Sequence, residues 1–222
     1  MICEKNLTAK AVKKRKDRKE MYFGFNEQNN TATNSPQILN LQKNQVLDLT
    51  KHAPALKRAI LAGGWDVATS GASADLDIAA FLLDSNGRIH SANDVIFFNH
   101  MESTGIVLEG DNRTGSGDGD DERIDIDLDQ IPAEYSQIVF AIVIFDAQTK
   151  RQSFGMVRNA FVRLLDADDD EREICRYNLT EDYGTDTAVI ACSLNRVGNG
   201  WEMQAVGEGM IGDLNTIASR YM

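Results

Sequence analysis

Cysteine is scarce: Cys3, Cys175 and Cys192 are the whole complement, odd in number and without C-x-x-C spacing. Nothing in that pattern suggests a disulfide framework or a zinc site, which fits a reducing cytoplasm. His52, His90 and His100 show no i, i+4 pairing, so they read as surface or strand residues rather than metal ligands. No apolar run approaches the roughly 20 residues needed to span a bilayer. The N-terminus is basic but is followed by no apolar segment or small-residue cleavage site, which argues against a secretory signal. Gly-x-Ser-x-Gly is absent and no Cys–His partnership is evident, so nucleophilic catalysis has no support. A Gly-Lys-Ser/Thr phosphate loop is missing too.

Positive charge is in short supply over most of the chain. The 222 residues have a net charge of −11, unevenly spread. Residues 1–20 hold eight basic side chains against Glu4, Asp17 and Glu20, leaving 15 basic and 31 acidic groups for the rest. A body with that excess repels nucleic acid and anionic membrane alike unless a cation neutralises part of it.

Residues 1–36 differ in character from the rest of the chain. A basic, helix-compatible segment runs to Glu20, and Asn26–Pro36 offers almost nothing apolar to bury. The expectation is an extension, 1–36, without fixed structure, and one domain over 37–222. Lys13-Lys14-Arg15-Lys16 as a nucleic-acid-binding arm stays open as an alternative. So does a translation start at Met21, with the purine-rich codons before it acting as a ribosome-binding region.

From Ile38 onward short strands dominate. Ile38–Leu41, Val46–Leu49, Leu56–Leu61, Ile78–Leu83, Val95–Phe98, Ile138–Phe145, Phe161–Leu165, Ile174–Tyr177, Thr187–Leu194 and Trp201–Val206 are all of strand length. Asp84–Gly87, Asp166–Glu171 and Gly198–Gly200 between them read as turns. Ile124–Asp129 alternates with period two, which puts Asp125, Asp127 and Asp129 on a wet face. A short helix is expected near Gly212–Tyr221. Many short strands, few helices and no βαβ rhythm predict an all-β antiparallel sandwich. Trp65 and Trp201 read as core aromatics, and Asp168-Asp169-Asp170 as a solvated turn.

The densest chemistry lies at Glu109–Asp129, with nine carboxylates against Arg113 and Arg123. Its centre, Gly115-Ser116-Gly117-Asp118-Gly119-Asp120-Asp121-Glu122, joins pliable backbone to clustered acids. Such a loop offers only oxygen ligands and suits a hard cation, above all Ca²⁺. Strands flank it, so it is not an EF-hand. In an extended chain Asp75 and Asp77 share a face, as do Asp118 and Asp120. Two such pairs at one end of a sandwich, with Asp121, Glu122, Asp111 and Asn112 nearby, match two adjacent Ca²⁺ ions better than one. The same Asp-x-Asp and paired carboxylates also occur in metal-dependent enzymes that act on sugars or phosphorylated substrates, which remains the alternative.

These motifs resemble the tellurite-resistance TerD family of calcium-binding stress proteins, nearest its TerD/TerE-type members. The matching segments include Gly64-Trp65-Asp66, Asp75-Leu76-Asp77-Ile78-Ala79-Ala80-Phe81-Leu82-Leu83-Asp84 and Gly110-Asp111-Asn112-Arg113-Thr114-Gly115, then Gly117 through Glu122. Further on come Asn159-Ala160-Phe161, Arg176-Tyr177 and Ala205-Val206-Gly207, so the likeness covers about residues 38–222. The resemblance implies a Ca²⁺-binding β-sandwich without catalytic activity and a role in tellurite and stress resistance. It implies partners among other Ter-family proteins, in a cytoplasmic or inner-membrane-associated assembly. Carried over by motif, the ligand candidates are Asp66, Asp75, Asp77, Asp118, Asp120, Asp121 and Glu122, joined by Asp111, Asn112 and the carbonyls of Gly117 or Gly119. The segment Asn99–Gly110 departs from the family pattern by being shorter, and residues 1–36 have no counterpart in it.

Overall fold

The computed structural model describes residues 38–66, 74–110, 119–179 and 183–222. The extension 1–36 and the loop positions Asp111, Asn112, Gly117 and Asp118 lie outside them. Thirteen strands, three short α-helices and two single-turn 3-10 helices succeed one another among the described residues. The first group is β1 (Leu39–Asn40), β2 (Val46–Asp48), α1 (Leu49–His52), β3 (Arg58–Asp66) and β4 (Leu76–Asp84). Next come β5 (Val95–Ile96), β6 (Glu102–Ser103), β7 (Ile106–Glu109), β8 (Glu122–Asp127), β9 (Tyr135–Ile144) and α2 (Ala147–Lys150). The chain closes with β10 (Arg158–Asp166), β11 (Arg172–Asn178), β12 (Ala188–Val197), β13 (Gly200–Met210) and α3 (Leu214–Ala218).

The strands form two sheets, one in the order β1-β11-β10-β3-β8-β7-β6 and the other β2-β13-β12-β9-β4-β5. Every pairing between named strands is antiparallel except β1 with β11. This is the predicted sandwich. Long strands sit inside each sheet, and the four edges are strands of two or three residues.

Alternation assigns the faces. Leu61 and Trp65 of β3, Ile124 and Ile126 of β8, and Leu76, Ile78, Ala80 and Leu82 of β4 all enter the main inter-sheet core. The other face of β4 presents Asp77, then Ala79, Phe81 and Leu83, and the last three are covered by Ile217 and Ala218 of α3 with Tyr221. That cover explains why Ile78–Leu83 is apolar on both faces, since neither side meets water.

Several local expectations shift, each for a visible reason. Leu49 leaves the strand because Asp48 accepts from the Thr50 and Lys51 amides and caps α1. The strand at Val95 stops after Ile96, where Phe97 and His100 exchange both backbone hydrogen bonds around a tight reversal. The C-terminal helix is shorter than expected, starting at a capping box between Asp213 and Thr216. Both tryptophans are buried in the core, as are the free thiols of Cys175 and Cys192. Burial pushes the Cys175 thiol up to about 12.

Candidate metal centre

The sandwich end that matters is where β4 begins and β8 begins. Asp75 stands just before β4, and its carbonyl accepts from Phe145 N at 2.8 Å, extending the β4–β9 ladder by one step. Its Oδ2 lies 3.6 Å from Lys150 Nζ on α2, a residue that sequence reasoning did not single out. Its Oδ1 is buried with no hydrogen-bond partner among the described residues. An orphaned carboxylate oxygen is costly in a dry site, and cation coordination relieves that cost. Asp77, only 5% exposed, comes next on the same outer face of the six-stranded sheet, opposite Val143 in register.

Glu122 opens β8 on the other sheet. It is 2% exposed and reaches across the sandwich, where its Oε2 accepts from Ile78 N at 2.6 Å. That amide needs a partner because the edge strand β5 pairs with β4 only at Ala80 and Phe81. Opposite Glu122 in register is Gly63, whose missing side chain makes room for Ile78; a Cβ there would fall 2.5 Å from Ile78 Cδ1. Asp121, one residue back, accepts from Trp65 N at 2.8 Å and donates its own amide to the Gly63 carbonyl. Gly119 has φ +114, a conformation open to glycine, and its carbonyl packs where a Gly64 side chain would be.

Asp120 and Asp66 belong to a different surface. Arg163 of β10 grips Asp120 with both prongs, Nε to Oδ1 at 2.8 Å and Nη2 to Oδ2 at 2.9 Å. Arg163 also reaches Glu173 at 2.8 Å. Burial pushes the Glu173 carboxyl up, but the Arg176 and Arg163 guanidiniums outweigh it and hold it low. Asp66, at the end of β3, accepts from the Asn159 amide. Both acids share the outer face of the seven-stranded sheet with Ile60, Ala62 and Leu165. The candidates therefore occupy three places: Asp75 and Asp77 outside one sheet, Glu122 in the seam, Asp66 and Asp120 outside the other.

Among the described residues no three His, Cys, Asp or Glu side chains converge as a metal would need. The donor types do fit a hard cation: carboxylate oxygens only, one of them buried and unsatisfied at Asp75.

The acids set aside as structural have clear employment. Asp125 is exposed, and Asp127 ties the turn after β8 by accepting from Asp129 N, Gln130 N and the Gln130 side chain. The Asp168–Asp170 turn is more ordered by charge than a solvated turn suggests: Arg58 binds Asp168, and Arg172 binds Asp169. The hint in the sequence was an arginine at an outward position of a strand, as with Arg163 in Phe161–Leu165.

Beside Asp77 a groove of about 480 Å³ opens between β9, α2 and α3. Phe97, Phe98 and Phe145 line it, with Phe98 edge-on to both of the other rings.

Two sheets of this order, closed over one core and carrying buried acids at one end of β4, define an acid-ended β-sandwich domain. The TerD domain model matches residues 38–221, and the chain belongs to the TerD family. It is 44% identical over 186 residues to the tellurium resistance protein TerD of Serratia marcescens, covering 82% of this chain and 96% of that one. General stress protein 16U of Bacillus subtilis (strain 168) is 42% identical over 187 residues, with 82% and 96% covered. The fold also matches the crystal structure of a homologue of telluride resistance protein (TerD) from Streptomyces coelicolor A3(2), with a TM-score of 0.61 at 23% identity. That match covers 74% of this chain and 96% of the other.

Proposed function

We propose that this chain is a non-catalytic Ca²⁺-binding module of stress and tellurium resistance, working through Ca²⁺-dependent contacts with other members of its family. The observation behind it is the buried, unsatisfied Asp75 Oδ1 in line with buried Asp77, on the strand that Glu122 secures from the facing sheet. Asp75, Asp77 and Glu122 are the described ligands of this reading. Asp111, Asn112, Asp118 and the carbonyls of Gly117 and Gly119 complete a set for two ions, with Asp121 near. A bound cation offsets the repulsion of these carboxylates and stiffens the junction of β4 with β8. It also brings a strongly negative rim close to neutral, so that an acidic partner or an anionic membrane surface is no longer repelled. Among the described residues no helix is long and apolar enough to cross a membrane. The names of the relatives, tellurium resistance protein and general stress protein, support the physiological side of the proposal.

Calorimetric titration with Ca²⁺ after chelation tests it, and saturable binding with a rise in melting temperature is expected. A ligand at 100 times its dissociation constant adds about 2.7 kcal/mol. A melting temperature unmoved between millimolar Ca²⁺ and excess chelator would overturn the reading.

The groove beside Asp77 is the one feature that favours a metal-dependent enzyme. Its lining among the described residues speaks against a phosphorylated substrate, because those residues include three carboxylates and no Lys, Arg or His. Turnover of a sugar or phosphorylated sugar by the Ca²⁺-loaded chain, abolished by Asp77→Asn, would establish the enzyme in place of the module.

A further inference from the structure

We propose that the cavity at the far end of β8 from Glu122 binds a small carboxylate on an apolar stem, with the Arg196 guanidinium as its counter-charge. The cavity holds about 230 Å³ between α1, the turn after β8 and the β12–β13 hairpin. That is below the usual range for drug-sized ligands, so a short stem fits and a whole cofactor does not. Leu49, Ala53, Leu128 and Trp201 give it buried apolar walls. Arg196 stands among them, opposite Trp201 in register, with its guanidinium over the indole at 4.3 Å.

What Arg196 lacks is an anion. Arg123, Arg163, Arg172 and Arg176, the other half-buried arginines among the described residues, each meet a carboxylate. Arg196 meets only backbone carbonyls: Nε donates to Tyr135 O at 3.1 Å, and Nη2 to Ile131 O at 3.0 Å and Pro132 O at 3.4 Å. Its Nη1 has no acceptor among the described residues. A guanidinium drawn from water without a counter-charge is costly, and burial pushes its pKa down with no acid close enough to raise it. In a chain with 34 acidic side chains, that gap is not for want of carboxylates. Asp129, the acid in the described lining, is mostly exposed and faces Lys57 at 3.9 Å instead. A cation would be repelled by Arg196, and a neutral apolar ligand would leave its charge unmatched. A carboxylate on an apolar stem satisfies both the charge and the walls.

The proposal stands apart from the metal reading, which uses the opposite end of β8 and none of these residues, so either can fail alone.

The test is an NMR titration of the ¹⁵N-labelled full chain with hexanoate, in chelator-treated buffer with salt of about 0.15 M to screen diffuse charge effects. Hexanamide, with the same stem and no charge, runs in parallel. The expected result is saturable binding of hexanoate, with shifts concentrated at the Trp201 indole N–H, Thr50–Ala53 and Asn199–Gly200. Hexanamide is expected to bind at least about tenfold more weakly. Arg196→Gln is expected to bring hexanoate down to the affinity of the amide. That variant also gives up carbonyl contacts and could loosen the hairpin, so a second one reads in the other direction. Asp129→Asn removes a like charge from the lining at an exposed position and is expected to tighten hexanoate by about two- to threefold, a gain that a damaged fold cannot give. Shifts that scatter without saturating would overturn the proposal. So would equal binding of hexanamide, undiminished hexanoate affinity in a folded Arg196→Gln, or affinity that Asp129→Asn fails to raise.

Discussion

Glu122 separates a structural carboxylate from a metal ligand, because glutamine there changes the charge and little else. Its Oε2 takes the Ile78 amide at 2.6 Å across the seam between sheets, in a place 2% exposed. In Glu122→Gln the side-chain carbonyl still accepts that hydrogen bond, and a buried charge disappears. In chelator the change in stability is therefore expected within about 1 kcal/mol of zero. With Ca²⁺ present the outcome differs. A tenfold loss in affinity removes about 1.4 kcal/mol of the ligand's contribution at saturation, or about 3–6 °C for a domain of this size. Glu122→Ala leaves the Ile78 amide without its partner and opens a void. It is expected to lose about 2–4 kcal/mol in chelator and Ca²⁺ alike. Thermal melts of parent and both variants, each in excess chelator and in millimolar Ca²⁺, measure all these terms. If Glu122→Gln loses the same amount in both buffers, Glu122 is a seam hydrogen bond only and the ligand assignment falls.

Asp77→Asn is expected to weaken Ca²⁺ at least tenfold by calorimetry while Asp127→Asn and Asp169→Asn stay within about twofold, since these two secure turns. Asp120→Asn, which loses its two-pronged partner Arg163, is expected to lower the melting temperature equally with and without Ca²⁺; a loss confined to Ca²⁺ would make Asp120 a ligand. Gly64→Ala places a Cβ 2.6 Å from the Gly119 carbonyl oxygen and from the Phe161 ring, so a loss of about 1–3 kcal/mol in denaturant melts is expected. Burial pushes the Asp94 carboxyl up, but the Tyr135 hydroxyl and the His90 and Ser91 amides hold it below its unfolded value. Its contribution is thus complete above about pH 4 and lost as pH falls through the folded value, so the stability gap between parent and Asp94→Asn is expected to shrink in acid.

The parts of this fold that are legible in the sequence are those set by local chemistry. The turns at Asp166–Glu171 and Gly198–Gly200 join β10 to β11 and β12 to β13, and Ile124 and Ile126 point inward as the period of two requires. The β4 acids are legible too, because Asp-Leu-Asp in a strand leaves little choice of face. What stays hidden depends on separation along the chain. Asp120 meets Arg163 across 43 residues and Arg58 meets Asp168 across 110, and no periodicity encodes either. The parallel seat of β1 beside β11 is a matter of topology alone. Phe97, Phe98 and Phe145 read as strand residues, and only the reversal at Phe97–His100 and the end of β9 turn them into one wall.

The brevity of the outer strands bears on how such a chain survives at high concentration. β1, β5 and β6 have two residues each and β2 three, whereas β9, β12 and β13 run to ten or eleven and lie inside their sheets. The outermost strands themselves offer a second molecule only two or three residues on which to add a strand, and on β4, whose neighbour β5 covers only Ala80 and Phe81, the Ile78 amide is taken by Glu122 instead. The sequences with the greatest tendency to form cross-β fibres, such as Ile138–Ile144, become available only if the sandwich opens. Exposure of that segment is therefore expected to follow the rate of unfolding, and a contact that fastens β4 to β8, such as Glu122 on the Ile78 amide, is expected to slow it.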